Sequence, residues 1–229
     1  MRPFQDGDDL RRIDPAATAR SGRPQVRSRH EEVEHTPLLV ADFRPPMLWG
    51  TRGRFRSVAA AEALAVEGWR AVLAGGRVGA MLVTGSAIEM MAPRPRETAM
   101  LRAAGAFSRA HAAALDAPEA GYDSLAVLLE AISARAAPGT AVKIATGLDA
   151  PGADFGRAAA ALMQKCPLEL LLIRDSVEAT PPTGRFAARI CGRITRGRFG
   201  TSASADHLAA RCIPHRIVNA ADPVLPEAA

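Results

Sequence analysis

The chain alternates short apolar runs with longer amphipathic segments. Residues 38–41 form a continuous apolar run, which is typical of a strand buried on both faces of a parallel sheet. Residues 58–74 then place apolar side chains at helical spacing, and Gly75 and Gly76 follow. Strands that alternate with helices of this length predict a doubly wound, mostly parallel α/β sheet.

Further segments continue this alternation towards the C-terminus. Strands are predicted at 77–84, 88–91, 141–145, 168–173, 186–190 and 215–218, and helices at 98–115, 124–136, 154–165 and 207–211. We expect Ser57 to cap the first long helix and residues 193–198 to form a basic hairpin or loop. No repeat or low-complexity tract divides this part of the chain, so we expect one domain over 37–220 and a tail over 221–229.

Residues 1–36 are polar and predict an N-terminal arm. Its expected elements are a turn at Asp6-Gly7, a short helical turn at 16–21 that Gly22 ends, and an edge strand at 24–29. His30 and His35 are five residues apart, so on a strand they would point to opposite faces. We therefore interpret residues 30–35 as a charged strand end and not as a metal site.

Composition limits the class of protein. Of the 229 residues, 48% are hydrophobic but only 4% are aromatic, so the core must be built mainly from Ala, Leu, Val and Ile. No apolar run approaches the ~18 residues that span a bilayer, and the polar start shows no signal peptide. The widely spaced Cys166, Cys191 and Cys212 favour reduced thiols over a disulfide framework or a zinc cluster. We therefore expect a cytoplasmic protein.

The positive charge is modest and is carried almost wholly by arginine. The formal net charge is +5, and Lys143 and Lys165 are the only lysines among 29 basic residues. Arginine suits bidentate pairing with carboxylate or phosphate. An excess spread over the whole chain is weak evidence for nucleic acid, so a nucleic-acid partner is not expected.

The motifs of common catalytic sites are missing. The sequence has no Gly-x-Ser-x-Gly elbow, and the glycine-rich residues 75–79 precede a strand, whereas phosphate loops and dinucleotide fingerprints follow one. Cys166 lies at a helix end before Pro167 with no histidine close in sequence, so we interpret it as a packing residue. We predict a protein that is not an enzyme and uses no cofactor.

The carboxyl end of the first buried strand is where α/β sheets bind ligands. Here that strand ends at Asp42, and the following loop contains Arg44, Pro45 and Pro46. Prolines supply no backbone N–H, and an unpaired buried carboxylate is costly. We therefore expect Asp42 to pair with Arg44 or with an arginine of the arm.

Two motifs give the chain a family resemblance. Residues 4–14, Phe-Gln-Asp-Gly-Asp-Asp-Leu-Arg-Arg-Ile-Asp, and the Ala-Thr-Ala-Arg at 17–20 resemble the signature of the DUF58 family. Residues 174–178, Arg-Asp-Ser-Val-Glu, with Pro-Pro-Thr-Gly at 181–184, are similar to the Asp-Pro-x-Glu and Pro-x-x-Gly of that family. The order of elements between the motifs also fits. Residues usually precede the first motif in the family, so the position of Met1 implies a truncated chain or a later start.

The resemblance implies a von Willebrand factor A-like, Rossmann-like fold with an added N-terminal extended arm or hairpin. It also implies an adaptor that works with a MoxR-type AAA+ ATPase and a client protein in the maturation of complexes, such as methanol dehydrogenase or another metalloenzyme. The alternative is an anion-binding or nucleic-acid-binding protein, or a metal-dependent enzyme, that uses the rim at the carboxyl ends of the strands.

A domains of this kind carry a metal-ion-dependent adhesion site, which the resemblance implies to be degenerate here. Its first motif, Asp-x-Ser-x-Ser, is replaced at 42–46 by Asp-Phe-Arg-Pro-Pro, which lacks both hydroxyls and brings a positive charge. Tyr122 or Asp123 stands near its threonine position. We place the degenerate site at Asp42, Arg44, Pro46, Asp123, Thr146 and Asp149, and we predict no bound metal because Mg²⁺ needs near-octahedral oxygen ligands.

We expect the docking surface to comprise the rim above Asp42, the loop after residue 145 and the arm. The residues predicted to have interaction or structural roles are Asp8, Asp9, Arg11, Arg12, Asp14, Arg20, Asp42, Arg44, Asp175 and Glu178.

Overall fold

The computed structural model describes residues 2–5, 8–26, 36–85, 87–118, 121–190, 193–198 and 204–223. The predicted turn at Asp6-Gly7, the charged segment that contains His30 and His35, Cys191, and the end of the tail lie outside these residues. The predicted edge strand at 24–29 is described only at Gln25–Val26, where it is a strand.

The helices of the described ranges follow the predicted order, with one short helix at Ser176–Ala179 that was not predicted. They are α1 Pro15–Ser21, α2 Arg56–Leu73, α3 Glu97–Asp116, α4 Leu125–Arg135, α5 Phe155–Lys165, α6 Ser176–Ala179 and α7 Ser204–Ala209. Single 3₁₀ turns are formed by Leu10–Arg12 and Pro45–Met47. No helix in the described ranges is long and apolar enough to cross a bilayer.

The strands form one large sheet and two small antiparallel pairs. They are β1 Arg2–Pro3, β2 Gln25–Val26, β3 Leu38–Asp42, β4 Arg77–Thr84, β5 Ala87–Pro95, β6 Val142–Thr146, β7 Leu168–Arg174, β8 Phe186–Ile190, β9 Arg193–Gly197 and β10 His215–Asn219. β1 pairs with β2 in the arm, as the predicted N-terminal hairpin requires. β8 pairs with β9, so the basic segment at 193–198 is one strand of a hairpin.

The large sheet has the order β10-β7-β6-β3-β4-β5, and only β5 runs antiparallel to its neighbour. The chain leaves the central strand β3 towards β4 and β5, then returns to β6 on the other side of β3. The order therefore reverses between β3 and β6, which makes their carboxyl ends the topological switch point of the sheet. The prediction of a doubly wound, mostly parallel sheet is confirmed.

Helices cover both faces of this sheet. Side chains of β3 alternate, so Leu38 and Val40 pack with α4 and α5, whereas Leu39 and Ala41 pack with α2 and α3. All five residues of β3 are buried, as expected for the central strand of a doubly wound fold. This burial fixes the position of Asp42 at the end of the strand.

One local prediction is wrong, and one predicted strand is longer than expected. Ser57 does not cap α2, because the helix begins at Arg56 and the Ser57 Oγ lies 3.2 Å from Nδ1 of His111 on α3. The strand predicted at 88–91 is the longer β5, which runs through Pro93 and Pro95. An outer strand tolerates prolines because it has only one neighbour, and here the register also shifts opposite them, between Val78 and Ala80.

Candidate functional site

Asp42 and Arg44 form a closed ion pair at the switch point. The Arg44 Nε donates to Oδ1 of Asp42 at 2.9 Å and its Nη2 donates to Oδ2 at 2.8 Å, which is the bidentate geometry. Oδ1 also accepts from the backbone N–H of Arg44 at 3.1 Å, and Oδ2 accepts from Oγ1 of Thr146 at 2.7 Å. Both side chains are buried. The prediction that Asp42 pairs with an arginine is confirmed, and the arginine is Arg44.

Arg44 also joins the loops that rise around β3. Its Nη1 donates to the carbonyl oxygen of Asp123 at 2.6 Å, and its Nη2 donates to the carbonyl oxygen of Asp149 at 3.2 Å. The guanidinium carbon lies 5.7 Å from the ring centre of Tyr122, within cation–π distance. Burial opposes the charged form, but hydrogen bonds and charge from Asp42 outweigh it and hold the pKa of Arg44 above its usual value. Arg44 therefore acts as a fixed cross-link between three loops.

A second buried arginine, Arg56, lies beside this pair. Its Nη2 donates to Oδ2 of Asp149 at 2.8 Å, and its Nη1 lies 3.3 Å from the carbonyl oxygen of Pro46. Its Nε lies 3.7 Å from Oε2 of Glu178, and its guanidinium carbon lies 5.2 Å from the ring centre of Trp49. Arg56 thus links the predicted degenerate site to the second family motif. No motif in the sequence singles out Arg56.

The loop after β6 has an unusual backbone around these arginines. Leu148 and Ala150 both have positive φ, at 61° and 46°, which is uncommon for residues other than glycine. Gly147 lies so close to the Arg56 guanidinium that a Cβ there would be 1.3 Å from Nη2. The carbonyl oxygen of Ala150 accepts from the backbone N–H of Leu125 at 3.0 Å. The arginines and the start of α4 together hold this loop in a strained conformation.

Asp175 joins the loop at Thr51 to the start of α6. Its carboxylate is buried and accepts from the backbone N–H and the hydroxyl of Thr51 and from the backbone N–H of Val177. The Glu178 side chain accepts from the backbone N–H of Asp175 at 2.7 Å, which completes a capping box for α6. Asp175 and Glu178 were predicted to have interaction or structural roles, and these contacts are structural.

We expect the contacts of Asp175 to contribute less stability at low pH. Burial opposes ionisation of Asp175, but the hydrogen bonds from Thr51 and Val177 and the charge of Arg56 outweigh it and hold the pKa of the carboxyl below its usual range. A depressed folded-state pKa adds stability that is present above the unfolded pKa of about 4 and is lost as pH falls through the folded value. We expect Asp175→Asn, which keeps a capping side chain, to reduce the loss of stability between about pH 5 and pH 2.

Urea unfolding at a series of pH values measures this effect. Asp116→Asn is the matched control, because it makes the same chemical change at an exposed position at the end of α3. An Asp175→Asn variant with the pH dependence of the wild-type protein would show that Asp175 does not titrate in this way.

The predicted acidic residues of the arm act within the arm. Asp14 caps α1 by accepting from the backbone N–H of Ala17 at 2.9 Å. Asp9 caps the 3₁₀ turn through the backbone N–H of Arg11, and Asp8 accepts from the backbone N–H of Gln5. Arg11 and Arg20 are exposed, and Arg12 lies in the 3₁₀ turn. These acidic residues of the family signature thus determine the fold of the arm.

Two aromatic side chains that lie on the buried arginines are partly exposed. Trp49 is 36% exposed and Tyr122 43%. Trp49 lies on Arg56 and Tyr122 lies on Arg44, so each of the two buried arginines carries an aromatic ring on its outer side. In a chain that is only 4% aromatic, this concentration distinguishes the rim from other surfaces.

A second charged cluster was missed by the sequence analysis. Lys143 Nζ donates to Oε2 of Glu67 and to Oε2 of Glu169, both at 2.7 Å, and Arg216 Nη2 donates to Oε1 of Glu67 at 2.9 Å. Burial opposes ionisation of Glu67, but Lys143 outweighs it and lowers the pKa of that carboxyl. The sequence feature that could have indicated this cluster is Lys143, a lysine inside an otherwise apolar strand. The cluster lies towards the amino ends of the strands and holds α2 to the sheet.

The fold and the site define a doubly wound α/β protein whose switch point is closed by an internal ion pair. The chain belongs to the DUF58 family, described as proteins of unknown function, whose family model matches residues 1–188. Among solved structures, the conserved hypothetical protein BatB from Bacteroides thetaiotaomicron is similar, with a TM-score of 0.53 and 14% identity over 80% of this chain and 90% of that chain. At this identity the likeness concerns the fold alone. No functionally curated protein matches the sequence significantly.

Proposed function

We propose that this protein is a non-enzymatic, von Willebrand factor A-like adaptor of the cytoplasm. It docks through the rim above Asp42 onto a MoxR-type AAA+ ATPase and brings a client protein to it for complex maturation. The choice of ATPase rests on the resemblance to the DUF58 family. The choice of the rim rests on the geometry of the switch point.

The partly exposed aromatic rings above the two buried arginines are the observation that carries the proposal. Aromatic residues are enriched among the few residues that dominate the binding energy of protein interfaces. Tyr122 and Trp49 each rest on a guanidinium that is itself fixed by carboxylates. A ring held in place loses little conformational freedom when a partner covers it. A rigid, aromatic surface of this kind suits a protein partner.

The residues at the switch point do not fit a divalent cation. A carboxylate offers about four acceptor positions, and Arg44 and Thr146 together supply four donors to Asp42. Mg²⁺ demands near-octahedral oxygen coordination, and a guanidinium in contact with the carboxylate repels it. We propose that Arg44 is a permanent internal counter-ion in the degenerate adhesion site, so partner binding needs no metal at this position.

The two arginines also favour the adaptor over the alternative of an anion-binding rim. Arg44 is committed to Asp42, and Arg56 is committed to Asp149. Both guanidinium groups are at most 1% exposed, so neither presents a free cation to a phosphate group in solution. The described rim thus offers aromatic surface more than charge.

The direct test is capture of a MoxR-type AAA+ ATPase from the same genome by the immobilised full-length protein, with ATP, with ADP and without nucleotide. We expect capture in at least one nucleotide state, and loss of capture in a Trp49→Ala/Tyr122→Ala variant. The matched control is Leu73→Ala, since Leu73 is 85% exposed at the far end of α2. Failure to bind in every nucleotide state, or equal binding by the double variant, would contradict the proposal.

Calorimetry with Mg²⁺, Mn²⁺ and Ca²⁺ tests the counter-ion separately. We expect no saturable heat of binding, because the acceptor positions of Asp42 are occupied. Saturable binding of any of these ions that Asp42→Ala abolishes would favour the metal-dependent alternative.

A further inference from the structure

A groove separates the outer strand β5 from helix α3, away from the rim. Its volume is about 380 Å³, within the usual range for binding pockets. Val78, Ala80, Ala99, Ala103 and Ala106 contribute small apolar side chains to its wall. The adaptor function proposed above does not use this groove.

Three arginines and one carboxylate give the groove its charge. Arg94 comes from β5, Arg102 and Arg109 come from α3, and Glu89 comes from β5. Arg102 and Arg109 are seven residues apart, so they lie on one face of the helix about 10 Å from each other. None of these arginines forms an ion pair with another described residue, whereas Arg44 and Arg56 of the rim are paired with Asp42 and Asp149. The groove therefore carries unneutralised positive charge.

The outer edge of β5 borders the same groove. No described strand pairs with this edge. Residues 87–92 of β5 contain no proline, so their outward backbone groups can take part in strand pairing over about 20 Å. Unpaired strand edges bind extended peptides by strand addition, in which backbone hydrogen bonds supply affinity and neighbouring side chains supply specificity.

We propose that this groove binds an extended acidic segment of a partner protein. The segment adds a strand to the outer edge of β5, directs apolar side chains onto the alanine-rich wall and pairs its carboxylates with Arg94, Arg102 and Arg109. The three arginines select against a basic segment, and the single Glu89 leaves the groove net positive. The complementary chemistry is therefore acidic with interspersed aliphatic residues.

The lining favours a peptide over a nucleic acid. Single-stranded nucleic acids are held by aromatic rings on which bases stack, and no described residue that lines the groove is aromatic. Methionine side chains from β5, Met90 and Met91, adapt instead to aliphatic groups.

A fluorescein-labelled peptide, Glu-Glu-Leu-Glu-Leu-Glu-Glu, tests the inference by fluorescence anisotropy with the full-length protein. In an added strand its leucines lie on one face together with the terminal glutamates. We expect the peptide to bind with a Kd on the order of micromolar. We expect Arg102→Glu/Arg109→Glu to bind it with an affinity lower by about tenfold or more. Arg135→Glu is the matched control, because Arg135 is exposed on α4 across the sheet.

Two further measurements separate the effect of peptide charge on binding from the effect of the shape of the groove. A peptide with glutamine in place of glutamate should bind more weakly than the acidic probe. Gly105→Leu should block binding, because a Cβ at Gly105 meets only the flexible Nη1 of Arg109 at 3.3 Å and the new side chain can enter the groove.

Three results would overturn the inference: no binding of the acidic peptide, equal binding by the charge-reversal variant, or tighter binding of a single-stranded oligonucleotide at the same residues. The rim variant Trp49→Ala/Tyr122→Ala should bind the peptide normally. Failure of this inference and failure of the adaptor proposal are therefore distinguishable.

Discussion

Replacing Arg44 with alanine is expected to lower the free energy of unfolding by about 3–5 kcal/mol. The reason is that Asp42 is fully buried and would lose two of its four donors, the Nε and Nη2 groups of Arg44, together with its counter-ion. The substitution also releases the carbonyl oxygens of Asp123 and Asp149 from their shared donor. The loops around β3 should loosen together.

Urea unfolding followed by circular dichroism measures this loss. Arg44→Lys keeps the charge but cannot form the bidentate pair, so we expect it to fall between alanine and the wild-type protein. The double variant Asp42→Ala/Arg44→Ala should lose less than the sum of the two single variants, because it removes the unpaired charge. Arg157→Ala is the control, because the Arg157 side chain is exposed on α5 and its ion pairs are at the surface, so the midpoint should be unchanged. An Arg44→Ala protein as stable as this control would contradict the internal counter-ion.

The same substitution of alanine for glycine should have opposite effects in two helices. At Gly68 on α2, a Cβ would lie 2.3 Å from Sδ of Met100 and 2.9 Å from Cδ1 of Leu39. Both side chains are buried, so Gly68→Ala should cost about 1–3 kcal/mol through overpacking between α2, α3 and the sheet. At Gly105 on α3, a Cβ meets only the flexible end of Arg109. Gly105→Ala should therefore stabilise the protein by about 0.5–1 kcal/mol, the difference in helix propensity.

Thermal and urea unfolding of the two variants, measured side by side, checks the sign of each effect. Each variant is the control for the other, because the chemical change is the same and only its surroundings differ. Destabilisation by both variants would mean that helix propensity does not decide the result at Gly105. An unchanged Gly68→Ala protein would mean that α2 and α3 can separate at little cost.

The hydrophobic pattern predicted the sheet, because strands that are buried on both faces form short, continuous apolar runs in the sequence. Residues 38–41 indicated a buried central strand, and the alternation of strands with helices indicated a doubly wound, mostly parallel sheet. Helix ends were less predictable. The hydroxyl of Ser57 indicated a cap, but its neighbour His111 comes from α3, far along the chain. The length of β5 depended on its place at the sheet edge, where proline is tolerated.

The candidate site was predictable in part. The sequence placed Asp42, a following arginine and a hydroxyl-free loop at a strand end, and the structure joins Asp42 to Arg44. It did not identify Arg56, which lies in α2 and reaches Asp149 across the site. Nor did it identify the buried Glu67 cluster, whose members come from α2, β6, β7 and β10. Contacts between residues so distant in the chain have no local signature.

The sequence by itself determined the class of fold, the absence of hydroxyls from residues 43–46 after Asp42, and the family signature of the arm. These are properties of local pattern and residue identity, which the chain carries before it folds. Only the tertiary structure decided that the Arg44 guanidinium fills the acceptor positions of Asp42, that two aromatic rings rest on buried arginines, and that Arg94, Arg102 and Arg109 line one groove without an ion-pair partner among the described residues. Each depends on bringing separate elements within a few ångströms, and packing of α2, α3 and the switch-point loops against the sheet determines those distances.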